Sequence, residues 1–276
     1  MTRNLTLQSE INRKRLMEVI YNAKAGHTGG DLSCLNVLTA LYFKYLNIDP
    51  RRLDDPDRDR FILSKGHCVE ALFTVLEARG ILPKDELDSL GHFGSPLAGH
   101  PTSDVPGIEV SSGALGHGLP IGVGMALAAK MDGASWKTFV LMGDGEQGEG
   151  SIYEAAMAGH QYKLDNLVAI IDRNHLQISG DTEDVMAIDD IHAKWTAFGW
   201  DVMEMDGDDM DDICRAFEAV DYGNGKPHLI ISNTTKGLGV SFMENEAKWH
   251  HGVPTDAQFA QAMKELDERI EKVREA

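Results

Sequence analysis

The chain is poor in cysteine, in long apolar runs and in positive charge. Its 276 residues include three cysteines, Cys34, Cys68 and Cys214, which lie far apart and form no Cys-x-x-Cys pair. Scattered cysteines in odd number give no disulfide framework and are typical of a reducing compartment. No apolar run approaches the roughly 20 residues that a membrane-spanning helix needs, and the polar N-terminus lacks the pattern of a signal peptide. We therefore expect a cytoplasmic protein that does not enter membranes.

Basic residues are outnumbered, with 26 Lys and Arg against 44 Asp and Glu, for a formal net charge of -18. Such a charge repels phosphates and argues against a nucleic-acid partner. It does not exclude an anionic cofactor, because a metal ion and local histidines can reverse the field at one site.

Short apolar strands alternate with helical segments along the chain. The alternation predicts an α/β fold, with a parallel sheet flanked by helices on both faces, forming a single domain over residues 1–276. A helix is predicted at 189–198, and the long stretch 91–118, rich in Gly, Pro, Ser and His, is predicted to be a functional connection. Ligands bind such folds outside the carboxyl ends of the strands. Strands are predicted at 61–63, 138–142, 167–172, 201–205 and 229–232.

The strongest chemical signal is the turn Gly143-Asp144-Gly145, which ends one strand, together with Asn174, which follows the next. Because parallel strands end at the same edge, the Asp144 carboxylate and the Asn174 side-chain oxygen would meet at one hard cation. The glycines would let the backbone approach an anion closely. Gly-Asp-Gly alone is also a common turn, and the paired asparagine is what favours a metal site.

Gly143-Asp144-Gly145 followed by Asn174 resembles the motif of the transketolase family and, more broadly, of thiamine diphosphate enzymes. The resemblance implies the fold of their diphosphate-binding domain. It also implies that Asp144, Asn174 and the backbone carbonyl of Leu176 bind a divalent metal, Mg²⁺ or else Ca²⁺ or Mn²⁺. The metal would bridge to the diphosphate of the cofactor, thiamine diphosphate, beside Gly143 and Gly145.

Further motifs of the family follow along almost the whole chain. The segments around His27, His67 and His100 resemble its first three histidine motifs, and residues 112–118 resemble its Ser-Gly-Ser-Leu-Gly-Gln-Gly segment, with His117 in place of the glutamine. Thr235-Lys236-Gly237 resembles the lysine segment near the diphosphate.

Trp249-His250-His251-Gly252 resembles the last histidine motif of the family. The sequence leaves open which of the two adjacent histidines matches the histidine of the motif. We favour His250, which directly follows the tryptophan, and hold His251 as the alternative.

The resemblance also implies a role for each matching residue. His27, His100 and His250 would be the catalytic residues that hydrogen-bond the sugar, a task suited to side chains with a pKa near neutrality. Glu149 matches a glutamate at the subunit interface that couples two active sites. Cofactor contacts are implied for His67, Leu115, Gly116, Gly143, Asp144, Gly145, Glu149, Asn174, Lys236 and His250. A lone histidine is more often a surface or core residue, and the other histidines are interpreted in that way, among them His92, His160, His175, His192 and His228.

No segment corresponds to the domain that activates the cofactor in complete transketolases, which are more than twice as long. The resemblance therefore implies the N-terminal subunit of a split transketolase, inactive without a partner that carries the pyrimidine-binding and C-terminal domains. Self-association across a dimer axis would give a heterotetramer. The implied reaction transfers a two-carbon ketol unit between sugars or sugar phosphates, as in pentose phosphate metabolism.

Two alternatives stay open. The alpha subunit of a 2-oxo acid dehydrogenase, or a deoxyxylulose phosphate synthase-like enzyme, would use the same cofactor, but His27, His67 and His100 favour transketolase. A regulatory subunit without catalysis would not require the metal-binding residues. The sugar is also open between ordinary, branched and sulfonated ketoses, because Gly29-Gly30-Asp31 departs from the proline-containing sequence usual after the first histidine.

Overall fold

A parallel five-stranded sheet forms the centre of the fold in the computed structural model, which describes residues 2–188 and 190–275. The strand order is β1-β2-β3-β5-β4. The inner strands are covered on both faces, which explains their nearly unbroken apolar sequences. The strands are β1 (Arg60–Leu63), β2 (Thr138–Gly143), β3 (Leu167–Arg173), β4 (Asp201–Asp206) and β5 (His228–Asn233).

Helices connect the strands and cover the sheet. A π-helical turn, Leu41–Tyr45, continues the second helix, and single 3₁₀ turns lie at Gly66–Cys68, Gly145–Gly148 and Ala247–Trp249. The α-helices in the described ranges are α1 (Thr2–Ala23), α2 (Thr28–Ala40), α3 (Val69–Ala78), α4 (Lys84–Asp88), α5 (Gly118–Asp132), α6 (Gly150–Gln161), α7 (Thr182–Met186), α8 (Ile191–Ala197), α9 (Met210–Glu218) and α10 (Asp256–Glu275).

The two faces of the sheet carry separate hydrophobic cores. Phe61 and Leu63 of β1 belong to the core shared with α1, α2, α3, α9 and α10, whereas Ile62 between them belongs to the core shared with α5, α6 and α8. This alternation follows from the two-residue period of a strand. The predicted parallel sheet with helices on both faces is therefore confirmed.

The predicted strands all fall within observed strands. The helix predicted at 189–198 is α8, which begins at Ile191. Position 189 lies outside the described residues, as do positions 1 and 276 of the predicted domain. The stretch between α4 and α5 contains no helix or strand, as expected for residues 91–118, except that α5 already begins at Gly118. Among the helices described, none combines the length and apolarity that crossing a membrane requires.

The packing of α5 on β2 depends on one glycine. A Cβ atom at Gly122 would lie 2.5 Å from Cγ2 of Val140, whereas one at Gly124, on the exposed side, would meet no atom within 4 Å. Alanine is favoured over glycine inside a helix by about 1 kcal/mol. We expect Gly124→Ala to raise the free energy of unfolding by up to about 1 kcal/mol. Gly122→Ala should lower it by about 1–3 kcal/mol, because the stiff Val140 side chain cannot move aside.

Denaturant unfolding of the two variants beside the wild-type chain measures both effects. Equal shifts for Gly122→Ala and Gly124→Ala would contradict the close approach of α5 to the sheet.

Candidate active site

Four neighbouring strands end at one cavity on the carboxyl edge of the sheet. Lys65 follows β1, Asp144 follows β2, Asn174 follows β3 and Lys236 comes three residues after β5. From the residues predicted for the site, the strand ends contribute Gly143, Asp144, Gly145, Asn174, Leu176 and Lys236 to the cavity lining. Other segments contribute His27, His67, Leu115, His250 and His251.

Three predicted site residues lie around the cavity rather than in its lining. His100 is exposed, with its ring centroid 6.2 Å from that of His27. Gly116 is buried next to Leu115, and a Cβ atom there would lie 2.6 Å from Cβ of Glu149. Glu149 itself is exposed, so its implied role at a subunit interface stays a prediction.

One carboxylate oxygen of Asp144 is held by several hydrogen bonds, and the other is nearly free. Its Oδ1 accepts, among the described residues, a single hydrogen bond from its neighbour Gly145 at 2.7 Å. His175 adopts a left-handed φ of 64°, in keeping with the sharp turn after β3. Burial and the nearby Asp172 carboxylate raise the pKa of Asp144, and a bound dication would oppose that rise. The second carboxylate oxygen of Asp144, Oδ2, is the one held firmly: it accepts hydrogen bonds from the backbone N of His175 at 2.8 Å, from Oγ1 of Thr182 at 3.1 Å and from Arg173 at 3.3 Å.

Asn174 and Leu176 add two further oxygen atoms. Nδ2 of Asn174 donates to Asp172 at 3.0 Å, and its amide oxygen accepts from the backbone N of Leu176 at 3.2 Å. The Leu176 carbonyl accepts from Nζ of Lys236 at 2.7 Å, and a carbonyl oxygen keeps a second lone pair for a metal. A carboxylate, an amide oxygen and a carbonyl are hard ligands that suit Mg²⁺ or Ca²⁺. The residues present therefore fit the implied metal.

Lys236 brings a positive charge beside these oxygen atoms. Burial and the like charge of Lys65 lower the pKa of Lys236 to about 8, so its ammonium form predominates at pH 7. Nδ1 of His27 is buried without a hydrogen-bond partner in the described part of the chain, and buried polar atoms are normally paired. Oxygen ligands for a dication, an ammonium and an unpaired imidazole together fit a metal-bound diphosphate.

The histidines form one group beside Lys236. An isolated bridge between His27 and Gly252 brings the C-terminal histidines next to the first one. The ring centroid of His27 lies 5.6 Å from that of His250 and 4.1 Å from that of His251. Burial and the neighbouring basic groups lower the pKa of His27 to about 4 and that of His250 to about 3. These two rings are therefore neutral at pH 7.

Ring nitrogens of His27, His250 and His251 lie within 4.8 Å of one another, a spacing that a transition metal can use. Nζ of Lys236 lies 3.0 Å from Nδ1 of His250, and this adjacent cation disfavours a dication at the three rings. The same contact favours His250 over His251 as the histidine that matches the last motif, because His250 is half-buried against Lys236 whereas His251 is exposed.

Three buried residues of the site had no predicted role. Lys65 and Asp172 form an ion pair at the ends of β1 and β3, and Glu146 accepts hydrogen bonds from two cavity segments. Lys65 stands within the second histidine motif, Asp172 lies two residues before Asn174, and Glu146 directly follows Gly145. Their position inside the motifs was the available signal.

Fold and site together place the chain in the class of thiamine diphosphate-binding domains. The family described as "Transketolase, thiamine diphosphate binding domain" matches residues 7–268, and the chain belongs to the transketolase family.

Similar proteins agree with this membership. An apulose-4-phosphate transketolase subunit of Phocaeicola vulgatus is 68% identical, over 98% of this chain and 96% of the relative. The protein of the same name from Actinobacillus succinogenes is 47% identical, over 92% of each chain. The solved transketolase of Leishmania mexicana superposes with a TM-score of 0.87 at 26% identity, over all of this chain and 45% of that one. The chain thus spans about half the length of that transketolase.

The cavity predicts that Asp144→Ala abolishes metal-dependent binding of thiamine diphosphate, because the variant loses the one carboxylate among the predicted metal ligands. Calorimetric titration of the cofactor with and without Mg²⁺ measures this loss, and circular dichroism tests whether the fold survives. Asp132→Ala, at the exposed end of α5, is the matched control. An unchanged cofactor affinity in folded Asp144→Ala would remove the metal assignment.

Proposed function

We propose that this chain is the N-terminal subunit of a split transketolase that acts on a branched ketose phosphate, apulose 4-phosphate. The observation that carries the proposal is the single cavity in which the strand-end oxygen atoms, Lys236 and the histidines meet. The substrate is taken from the names of two relatives, one of which is 68% identical over 98% of the chain.

In this proposal Asp144, Asn174 and the Leu176 carbonyl hold a divalent metal, preferably Mg²⁺, and Lys236 faces the diphosphate. Bound thiamine diphosphate supplies the carbanion chemistry of ketol transfer. By the family resemblance, the backbone of Leu115 would contact the aminopyrimidine, Gly116 would add a further cofactor contact, and His67 would lie nearer the diphosphate. A neutral imidazole donates at one nitrogen and accepts at the other.

The sugar is recognised by His27, His100 and His250. With pKa values of about 4 and about 3, His27 and His250 are present as neutral rings at pH 7, so they orient hydroxyl groups instead of storing a proton. Donors aimed at the oxygen that gains charge stabilise the transition state most.

A separate partner chain completes the site. Both relatives are named as one subunit of their transketolase, which supports a second polypeptide. Apolar side chains are exposed at Ile178, Val185 and Met186, in the segment beside the cavity, and Ile178 also lines it. Exposed apolar patches of this kind mark surfaces that bind protein. We propose a cytoplasmic heterotetramer of two copies of each chain, in which Glu149 lies at the interface between the two active sites.

We expect ketol transfer only when this chain, its partner subunit, Mg²⁺ and thiamine diphosphate are combined, because the cofactor-activating domain is supplied by the partner. The measurement compares apulose 4-phosphate, xylulose 5-phosphate and a sulfonated ketose as donors to an aldose phosphate acceptor. The highest kcat/KM should belong to apulose 4-phosphate. Cofactor binding without transfer from any donor would contradict the reaction, and a higher kcat/KM for another donor would contradict the substrate.

The register of the last histidine motif is tested in the same assay. His250→Gln should lower kcat by about 100-fold, as for loss of a positioned donor. His251→Gln should lower kcat by less than about 10-fold, because that exposed ring does not contact Lys236. The reverse order would assign the role to His251.

A further inference from the structure

The Glu146 carboxylate links three segments of the site. Its side chain is buried, 2% exposed, and it is one of the residues that line the cavity. Oε1 accepts a hydrogen bond from the backbone N of Gly116 at 2.8 Å and another from Oγ of Ser64, and Oε2 accepts from the backbone N of Gly143 at 3.0 Å. Ser64 follows β1, Gly143 ends β2, and Gly116 belongs to the connection that carries Leu115. One carboxylate therefore joins three otherwise separate segments in and around the cavity.

The connection around Leu115 has little regular backbone pairing to hold it, since it contains no helix or strand before α5. Its attachments run instead through side chains. Ser64 relays one of them, because its Oγ accepts from the backbone N of Gly118 at 3.1 Å while it donates to Glu146. Two serines add further contacts: Ser112 Oγ donates to the Leu63 carbonyl at 2.7 Å, and Ser151 Oγ donates to the Gly116 carbonyl at 2.8 Å.

Two glycines show how closely this connection is pressed against the sheet. Gly116 has a φ of 84°, and a Cβ atom at Gly118 would lie 2.3 Å from Oγ of Ser64. The backbone can take this path only without side chains. Its position is consequently set by this close packing together with the hydrogen bonds to Glu146 and Ser64.

Three donors converge on the Glu146 side chain, so its chemistry cannot be replaced by a near-isostere. A carboxylate accepts at both oxygens, whereas the amide of glutamine accepts at one and donates at the other. In Glu146→Gln the amide NH₂ would oppose a backbone N–H, either that of Gly143 or that of Gly116. A buried donor left unpaired is costly.

We propose that Glu146 is a positioning residue, which fixes the backbone of Leu115 against the cavity and thereby sets the place of the aminopyrimidine ring of thiamine diphosphate. The inference rests on the proposed function and assigns the residue to the ring end of the cofactor. The diphosphate end is held by other groups, namely the metal ligands and Lys236.

The test compares two ligands in the assembled complex of this chain and its partner at saturating Mg²⁺: thiamine diphosphate and inorganic pyrophosphate, which lacks the ring. Glu146→Gln should lower the affinity of the complex for thiamine diphosphate by at least about 10-fold, which is the effect of losing one charge-assisted hydrogen bond. Its affinity for pyrophosphate should fall by a clearly smaller factor, because only one of the three bonds, the one from Gly143, reaches the end of the cavity where the diphosphate would lie. A residue that merely stabilises the fold would not separate the two ligands.

Ser64→Ala keeps the proposal testable if Glu146→Gln does not fold, because it leaves the Glu146 carboxylate in place and removes two bonds of the same set, the one donated to Glu146 and the one accepted from Gly118. Ser64→Ala should likewise lower the affinity for thiamine diphosphate more than the affinity for pyrophosphate. The double variant of Ser64→Ala and Glu146→Gln should bind thiamine diphosphate no more weakly than Glu146→Gln alone, because the two residues act through the same set of bonds. Glu268→Gln, exposed on α10, is the matched control and should change neither affinity.

An equal loss for both ligands, or no loss for either, would overturn the positioning role. Failure of the wild-type complex to bind thiamine diphosphate would instead overturn the proposed function itself.

Discussion

The buried ion pair between Lys65 and Asp172 is the contact on which the geometry of the site depends. Both side chains are 1% exposed, and removing one member of such a pair costs about 3–5 kcal/mol. Burial alone would raise the pKa of Asp172, yet Lys65 and the donated hydrogen bonds hold it below its usual value. Lys65 also donates to the Gly30 carbonyl at 3.1 Å. Asp172 accepts from Ser33 at 2.7 Å, Thr234 at 2.5 Å and Asn174 at 3.0 Å.

That pair explains how a chain with a net charge of -18 can offer a site to a diphosphate. Asp172 is neutralised by Lys65 within the protein, which leaves the charge of Lys236 directed at the cavity and the Asp144 carboxylate ready for a metal. Burial and the like charge of Lys65 lower the pKa of Lys236 to about 8, so a bound anion would stabilise its ammonium form. Local arrangement, and not overall charge, decides which ligand the cavity accepts.

Much of this arrangement was predictable because it is local in sequence. Apolar runs marked the strands, and residues such as Asp144 and Asn174 follow directly from the strand ends that present them. The Lys65–Asp172 pair was not predictable, because it joins β1 to β3 across β2 and depends on the order of strands. The hydrogen bonds of Glu146 were not predictable for the same reason, because their donors at Ser64 and Gly116 are about 80 and 30 residues away along the chain. Local patterns thus predicted the candidate ligands, whereas the contacts that orient their side chains required the fold.

The charge of the histidines in and around the cavity depends on how deeply each ring is buried. His67 is the most buried of those lining the cavity, and its pKa is strongly lowered by burial and by Lys65. His27 and His250 are half-buried and neutral at pH 7, while His100 and His251 reach solvent. Uncharged imidazoles leave the positive charge to the lysines and to the proposed metal, at the end of the cavity where the diphosphate would bind. They still offer donors and acceptors to a sugar that carries many hydroxyl groups. Burial therefore separates two tasks within one cavity, charge at the strand ends and neutral hydrogen bonding along the wall.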